Sequence, residues 1–284
     1  MVLVPFLDKG LAGLVLLGGI SRAGRRAAGA RRGGDNHFLL MSGHSKWAKV
    51  KHFKGAIDAK RARIFAKLSR EISIAAKLGG GEPDMNPRLR MVLLKCRSAN
   101  MPSDNVERAI KKGTGGGDLA AYEDLTYEVF GPHGVAMLVE CSTDSRNRTA
   151  AEIRRLLSEH GGTLATAGGV TRLFQRKGQI IIASDAAKEE RLLEIALEAG
   201  AEDLKAEAEG YEILTEPGQF EAVHGAIEAQ GIKCESAEVT FVPTLTVPVS
   251  GAAEGEVTRL LDAIEDHDDV KEVHSNAAFS GEEG

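Results

Sequence analysis

The sequence has few cysteines, a single tryptophan and no long apolar run. The three cysteines, Cys96, Cys141 and Cys234, stand far apart, with no C-x-x-C pair and no histidine at zinc-ligand spacing. We therefore expect no disulfide framework, no metal and three ordinary reduced thiols. The longest apolar run falls well short of the ~20 residues that a membrane span needs, so we expect no transmembrane helix and no membrane partner.

Sequence patterns of catalysis are also missing. The glycine-rich segment 113–117 follows a predicted helix and lacks the G-K-[ST] ending, so we interpret it as a linker and not as a nucleotide loop. The acidic segment, residues 265–269, lacks the spacing and the glycine of a calcium loop. No serine, cysteine or threonine stands in a nucleophile context. We expect a protein that is not an enzyme, with no catalytic residue, no cofactor and no small-molecule substrate; an unrecognised site between two α+β domains is the alternative.

Positive charge is concentrated in one part of the sequence. The whole chain has a net charge of -5, but residues 41–112 carry seventeen basic and six acidic side chains, a net charge of about +11. Residues 1–40 have a net charge of about +4, and the remainder has about -20. Mixed signs serve solubility better than this separation, which is typical of a protein that binds a polyanion. The charge distribution therefore predicts a nucleic-acid partner.

Residues 1–40 combine a short apolar stretch with a tract rich in arginine and glycine. In a secretory signal the positive charges precede the apolar run, whereas Arg22, Arg25 and Arg26 follow it here, so we do not expect secretion. The arginine-rich, acid-poor composition leaves a transit peptide open. The simplest interpretation is an over-long gene start, with Met41 as the true initiator, a disordered extension over residues 1–40, and a cytoplasmic protein.

Hydrophobic periodicity predicts a helix that begins near Ala56 and stops at the glycines 79–81. At ~100° per residue, its apolar residues fall on one arc and its cations gather on the opposite arc. The apolar residues are Ile57, Ile64, Phe65, Leu68, Ile72 and Ala75, and the cations are Lys60, Arg63, Lys67, Arg70 and Lys77. The helix is therefore predicted to pack through one face and to present a basic face.

Two shorter helices are predicted after the first one. Asn86 caps the second helix and precedes a proline at the first helical position. The third helix begins at Ser103 or Asp104, with Glu107 as the capping-box partner of Asp104, and ends at Gly113. These three helices predict a small bundle.

The rest of the chain alternates predicted strands and helices. A hairpin of strands 125–130 and 135–140 is followed by a helix and a short strand near 172–175. Residues 179–242 then predict strand, helix, strand, strand, helix, strand, which is the split β-α-β order of ferredoxin-like domains. A closing strand, helix and strand within 245–276 would complete the sheet that the hairpin begins. One α+β domain is then inserted into another.

These elements divide the chain into four predicted parts. They are a disordered extension over 1–40, a basic helical nucleic-acid-binding domain over 41–117, an α+β domain over 118–178 plus 243–284, and an inserted ferredoxin-like domain over 179–242.

Seven motifs occur in fixed order along most of the sequence. They are GHSKWAKVKH, DAKRARIFAKLSREI, AAKLGGGEPDMNPRLR, NVERAIKKGTGG, YEVFGPHGVAMLVEC, DSRNRTAAEIRRLLSEHGG and LFQRKG. Together they closely resemble the YebC/PmpR family over nearly all of residues 42–242, with weaker identity afterwards. The resemblance implies an α+β fold with an N-terminal three-helix domain followed by two ferredoxin-like α+β domains, one inserted into the other.

The resemblance also implies a nucleic-acid-binding regulator of gene expression. Bacterial members of the family are described as transcriptional regulators that bind promoter DNA, so promoter DNA is the first expected partner. The chain is also similar to the mitochondrial translational activators of cytochrome oxidase, and some members act on ribosomes stalled at proline-rich sequences. Ribosomal RNA and the ribosome are therefore the alternative partners. The first helix offers lysine and arginine almost exclusively, which favours phosphate contact over sequence readout.

The resemblance places the nucleic-acid-binding face on the basic domain and at one helix start in the second domain. Phosphate needs cations, and unpaired bases favour an aromatic ring on which to stack. The alternatives are a core position for the tryptophan, solvated lysines, and a capping turn with exposed arginines at the second-domain helix. The predicted residues are Lys46, Trp47, Lys49, Lys51, His52, Lys54, Lys60, Arg63, Lys67, Arg70, Arg88, Arg90, Lys111, Lys112, Arg146 and Arg148.

Overall fold

The computed structural model describes residues 58–115 and 122–279 of the chain. The predicted disorder of residues 1–40 and the basic segment before the first helix lie outside these residues. Six predicted site residues therefore lie outside them as well, namely Lys46, Trp47, Lys49, Lys51, His52 and Lys54.

Within residues 58–115, the N-terminal domain has three helices: α1 (Asp58–Gly79), α2 (Pro87–Ser98) and α3 (Ser103–Thr114). The predicted apolar face of α1 packs against the other two helices and forms a core of its own with them. Asn86 caps α2 as predicted, because its side chain accepts a hydrogen bond from the Leu89 N–H at 3.1 Å. Most of the helical domain was therefore predictable from periodicity and capping chemistry.

Helix α3 begins at Ser103, one of the two predicted starts, but its cap and its end differ from the prediction. Its N-cap is Pro102 and it has no side-chain cap, so the predicted capping box of Asp104 and Glu107 was wrong. It also continues through Gly113, which is buried against α1. A Cβ at Gly113 would lie 2.5 Å from the carbonyl oxygen of Ser73 and 2.8 Å from the Cβ of Ala76. This glycine therefore permits a close contact between helices and does not end one.

Four further helices and ten strands make up the α+β part that follows. The helices are α4 (Arg146–Glu159), α5 (Glu189–Glu198), α6 (Phe220–Ala229) and α7 (Ala252–Glu265). The strands are β1 (Glu123–Phe130), β2 (Ala136–Thr143), β3 (Thr163–Leu164), β4 (Phe174–Ala183), β5 (Asp203–Glu207), β6 (Gly210–Thr215), β7 (Ser236–Pro243), β8 (Val247–Val249), β9 (Val270–Ser275) and β10 (Ala277–Phe279). Within residues 58–115 and 122–279, no helix combines the length and the apolar character that crossing a bilayer requires.

The first sheet is built from two distant parts of the chain. β1 and β2 form the predicted antiparallel hairpin, and the strand order is β3-β1-β2-β9. β9 pairs antiparallel with β2, with Met137 opposite Ser275. A strand that follows the inserted domain therefore completes a sheet that precedes it, and this confirms the α+β fold with one domain inserted into the other. β8 and β10 add a small parallel pair.

The second sheet has the order β5-β6-β4-β7, and all its neighbouring strands are antiparallel. With α5 between β4 and β5 and α6 between β6 and β7, this is the ferredoxin-like arrangement predicted for the inserted domain. The first sheet has a different order, because β1 and β2 are joined by a hairpin and are direct neighbours.

β4 is one continuous strand where the sequence predicted two. Gly178 is typical of a break, but here it allows a close approach of β6 and α6, since a Cβ would lie 2.2 Å from Thr215 Oγ1 and 2.8 Å from Phe220 Cβ. The prediction of a separate short strand near 172–175 was therefore wrong.

Each α+β domain buries an apolar layer between its sheet and its helices. In the first domain, one face of β1, β2 and β9 packs on α4 and α7 around Ile153 and Leu260. In the inserted domain, β4 and β6 pack on α5 and α6 around Phe220. The opposite face of the first sheet carries Leu138, which packs with Phe174 from the start of β4. The two α+β domains are thus in direct contact through these side chains.

We expect Gly113→Ala to destabilise the protein by about 1–3 kcal/mol, because the added methyl group forces α1 and α3 apart in a packed core. Thermal and denaturant unfolding measure the change. Gly225→Ala is the matched control: this glycine lies exposed within α6 with open space around its Cα. There, alanine should stabilise the protein by about 0.5–1 kcal/mol. Equal effects of the two substitutions would contradict the packing role of Gly113.

Candidate nucleic-acid interface

Three predicted site residues of α1 contact the acidic segment, residues 265–269. Arg63, Lys67 and Arg70 lie on successive turns of the helix, and we call them the α1 stripe. The Arg63 guanidinium lies 2.6 Å from the Asp266 carboxylate. Lys67 Nζ donates to the backbone carbonyl of Glu265 at 2.5 Å, and Arg70 Nη1 donates to that of Asp268 at 2.9 Å. The predicted basic face thus exists, and the chain itself occupies part of it. Lys60 lies in the first turn of α1.

The ammonium group of Lys67 is the least favourably placed charge of the α1 stripe. Its burial lowers the pKa of Lys67 below the ordinary value, and the carboxylates of Glu265, Asp268 and Asp266 offset this effect only in part. The acidic segment therefore compensates the charge of Lys67 only in part.

The Asp269 carboxylate is buried and connects four parts of the fold. Its Oδ2 atom accepts hydrogen bonds from Thr149 Oγ1 at 2.7 Å, from Arg148 Nη2 at 2.8 Å and from Thr143 Oγ1 at 3.2 Å. Its Oδ1 atom lies 3.7 Å from Arg70 Nη1. The end of β2, the first turn of α4, the loop before β9 and the α1 stripe therefore converge on one side chain.

The surroundings of Asp269 favour its ionised form. Burial alone would raise the pKa of Asp269, but the hydrogen bonds from Arg148 and Thr149 lower it on balance. Arg148 is held by this carboxylate and by Asp144 at 3.0 Å. Arg146, at the start of the same helix, is exposed. Of the two predicted arginines of α4, Arg148 thus forms ion pairs within the chain, and Arg146 is exposed to solvent.

The predicted arginines of α2 also form contacts within the chain. Arg88 lies 2.8 Å from Asp124 of β1. Arg90 contacts Glu221 of α6 at 3.0 Å and donates to the carbonyl oxygens of Pro83 and Asp84 at 2.9 Å. These two arginines therefore connect the helical domain to both α+β domains.

Lys95 is an important residue that the sequence analysis missed. Its Nζ atom lies 2.6 Å from Glu272 of β9 and 3.3 Å from Glu238 of β7, so one lysine contacts all three domains. Burial alone would lower its pKa, but the carboxylates of Glu272, Glu238 and Glu71 raise the pKa of Lys95 well above the ordinary value. A signal was available, because Lys95 follows Met91 by four residues on a face of α2 that packs against the inserted domain.

Lys111 and Lys112 are exposed in the last turn of α3. Neither forms an ion pair with the described part of the chain. Their position also suits the negative end of the helix dipole, which is the alternative account of two lysines at a helix end. Both lysines therefore remain accessible to a partner.

A polar cleft of about 610 Å³ lies beside the α1 stripe. Arg70, Tyr122, Arg155 and His267 are among its lining residues, and the Arg70 guanidinium lies 5.7 Å from the centre of the Tyr122 ring. The cleft presents cations and carboxylates side by side, so it has no single charge.

Among the described residues, two groups of two carboxylates and a histidine have ligand atoms within 4.8 Å of one another: Glu140, Glu272 and His274, and Glu152, His267 and Asp269. A cationic side chain already lies against one carboxylate of each group. Lys95 lies against Glu272 and Arg148 against Asp269. We therefore interpret both groups as ion-pair networks, and the expectation of no metal stays a prediction.

Comparisons with known proteins match almost all of the described chain. Residues 45–116 match the family model of the TACO1/YebC protein N-terminal domain, and residues 122–277 match that of the TACO1/YebC second and third domain. A protein named probable transcriptional regulatory protein from Desulforapulum autotrophicum is 50% identical over 242 residues, which are 85% of this chain and 98% of that protein.

A second relative with the same name, from Rubrobacter xylanophilus, is 49% identical over 243 residues, covering 85% of this chain and 97% of that protein. A crystal structure of a conserved hypothetical protein from Aquifex aeolicus is similar with a TM-score of 0.73 and 42% identity. The similarity covers 84% of this chain and 99% of that one. The predicted family resemblance and the α+β class are confirmed.

We expect Asp269→Asn to destabilise the protein by about 1–3 kcal/mol, because buried donors lose their charged acceptor. The lowered pKa of Asp269 sets the sign of the pH dependence. Its contribution to stability is complete above the ordinary aspartate pKa and is lost as the pH falls through the lowered value. Unfolding free energies across the acidic range should therefore fall less steeply in the variant.

Asp268→Asn is the control for this experiment, because Asp268 is the exposed neighbour and contacts Arg70 through its backbone carbonyl. Its unfolding free energy should stay within about 0.5 kcal/mol of that of the unchanged chain. A similar loss in both variants would refute the central role of Asp269.

Proposed function

The chain belongs to the TACO1/YebC family, and from this membership we propose that it is a regulator of gene expression that binds DNA through its basic helical domain. The name of its relatives, probable transcriptional regulatory protein, supports a regulatory role. The observation that carries DNA binding is the excess of positive charge in residues 41–112, about +11, beside an acidic remainder. The chain acts in the cytoplasm by binding and not by catalysis, without a cofactor or a small-molecule substrate.

The exposed cations of the helical domain indicate how the protein contacts a nucleic acid. Lys111 and Lys112 are exposed in the last turn of α3, and Arg61 is exposed near the start of α1. Lysine and arginine at such positions bind phosphate oxygens without reading bases. The contact therefore contributes affinity with little sequence preference, and it is strongly weakened by salt.

Ribosomal RNA is the second candidate partner, with the ribosome as the site of action. Two observations favour it over a sequence-reading role. The basic face of α1 lacks the asparagine and glutamine side chains that distinguish base edges in the major groove. The α+β part, with a net charge of about -20 beyond residue 112, would repel DNA but suits basic proteins on a ribosomal surface.

We expect the double substitution Lys111→Ala and Lys112→Ala to weaken binding of mixed-sequence duplex DNA. Each lost phosphate contact should reduce the slope of log affinity against log salt by about 0.9, so the slope should fall by about 1–2. Binding titrations at several salt concentrations measure the slope. Lys188→Ala with Lys205→Ala, two exposed lysines of the inserted domain, is the control that removes the same charge. An unchanged slope in the first variant would remove these lysines from the interface.

Crosslinking in cells followed by sequencing of the bound nucleic acid separates the two candidates. Enriched promoter DNA supports the transcriptional role, and reads dominated by ribosomal RNA replace it with the ribosomal role. Recovery of neither polymer above the background of an unrelated acidic protein contradicts both.

A further inference from the structure

The ion pairs between the domains share one polarity. Seven ion pairs of described residues join the helical domain to the α+β domains, and in each of them the cation lies on the helical domain. They are Arg63–Asp266, Arg70–Asp269, Arg88–Asp124, Arg90–Glu221, Lys95–Glu238, Lys95–Glu272 and Arg97–Glu228. The positive charge that favours a nucleic acid thus also docks the domain onto its own chain. A phosphate backbone and these carboxylates compete for the same donors.

The acidic segment offers the α1 stripe a phosphate-like set of oxygens. One carboxylate, from Asp266, and two backbone carbonyls, from Glu265 and Asp268, accept from three cations on successive turns. Glu265 is the last residue of α7, where unsatisfied carbonyl oxygens carry the negative end of the helix dipole. The segment therefore combines formal and partial negative charge opposite the stripe.

The contacts of the acidic segment differ in how readily a competitor could replace them. The outer pair is solvent-exposed, with 45% of the Arg63 side chain and 53% of the Asp266 side chain accessible. Exposed pairs of this kind contribute little to stability and are screened by salt. By contrast, Asp269 is buried at the other end of the segment, and Lys95 holds the domains together elsewhere. The outer contacts can thus be exchanged while the helical domain stays docked.

On the basis of the proposed function, we propose that the acidic segment is an intramolecular competitor of nucleic acid. Asp266 and Asp268 occupy the neighbourhood of Arg63 and Lys67 in the free protein, and a phosphate backbone displaces them when it binds the α1 stripe. The unfavourable burial of Lys67 supports this exchange, since the segment leaves its charge incompletely compensated. The segment lowers the affinity for any phosphate backbone and thereby limits non-specific binding.

The double substitution Asp266→Asn and Asp268→Asn tests the proposal in the full-length chain. We expect affinity for mixed-sequence duplex DNA and for a ribosomal RNA fragment to rise about three- to tenfold, because two exposed competing charges are removed. The salt slope should steepen as the stripe gains phosphate contacts. Asp185→Asn with Asp203→Asn is the matched control, since both aspartates are exposed on the inserted domain and the net charge changes equally.

Three outcomes separate this inference from the proposed function. Absence of salt-dependent binding to both nucleic acids in the unchanged chain overturns the proposed function and the inference with it. Binding in the unchanged chain with equal gains in the two double variants overturns the inference alone, because net charge then explains the gain. A larger gain in Asp266→Asn with Asp268→Asn supports it, provided that adding Arg63→Ala removes that gain; a gain that survives Arg63→Ala overturns the assignment to the stripe.

Discussion

The buried carboxylate of Asp269 imposes the constraint on which the arrangement of the helical and first α+β domains depends. A charge removed from water needs several donors, and Asp269 obtains them from β2, α4 and α1. Because those donors come from distant parts of the chain, they satisfy the carboxylate only when the hairpin, the helix and the basic domain are all in place. The same requirement positions the acidic segment against the α1 stripe.

Charge separation along the chain serves two purposes in this fold. Inside the molecule it supplies the contacts between domains, among them the Lys95 network where α2, β7 and β9 meet. On the surface, the same charge separation leaves cations such as Lys111 and Lys112 available to a partner. A protein that used all its basic residues for docking would retain no affinity for phosphate, and one that used none would need an apolar interface instead.

Local sequence patterns predicted most helices and strands, but they could not predict contacts between residues far apart in the sequence. The three helices, the hairpin and the return of β9 follow from periodicity and turn residues that act over a few positions. Gly113 was misinterpreted because a glycine that permits close packing and one that ends an element look the same in sequence. Lys67 and Glu265 are 198 residues apart, so the basic face was predictable and its internal partner was not. Six site residues before α1 lie outside the described residues and stay predictions.

Because one domain is inserted within another, the first sheet is completed only late in translation. β2 is an interior strand of the finished sheet, yet its β9-facing edge stays unpaired until the whole inserted domain has been translated. An open edge is a hazard for misassociation of nascent chains, and the charged Glu140 on that strand is the kind of residue that discourages it. The acidic segment also emerges just before β9. During translation, therefore, the basic domain is made long before the carboxylates that neutralise it, and the nascent chain passes through a more cationic stage than the mature protein.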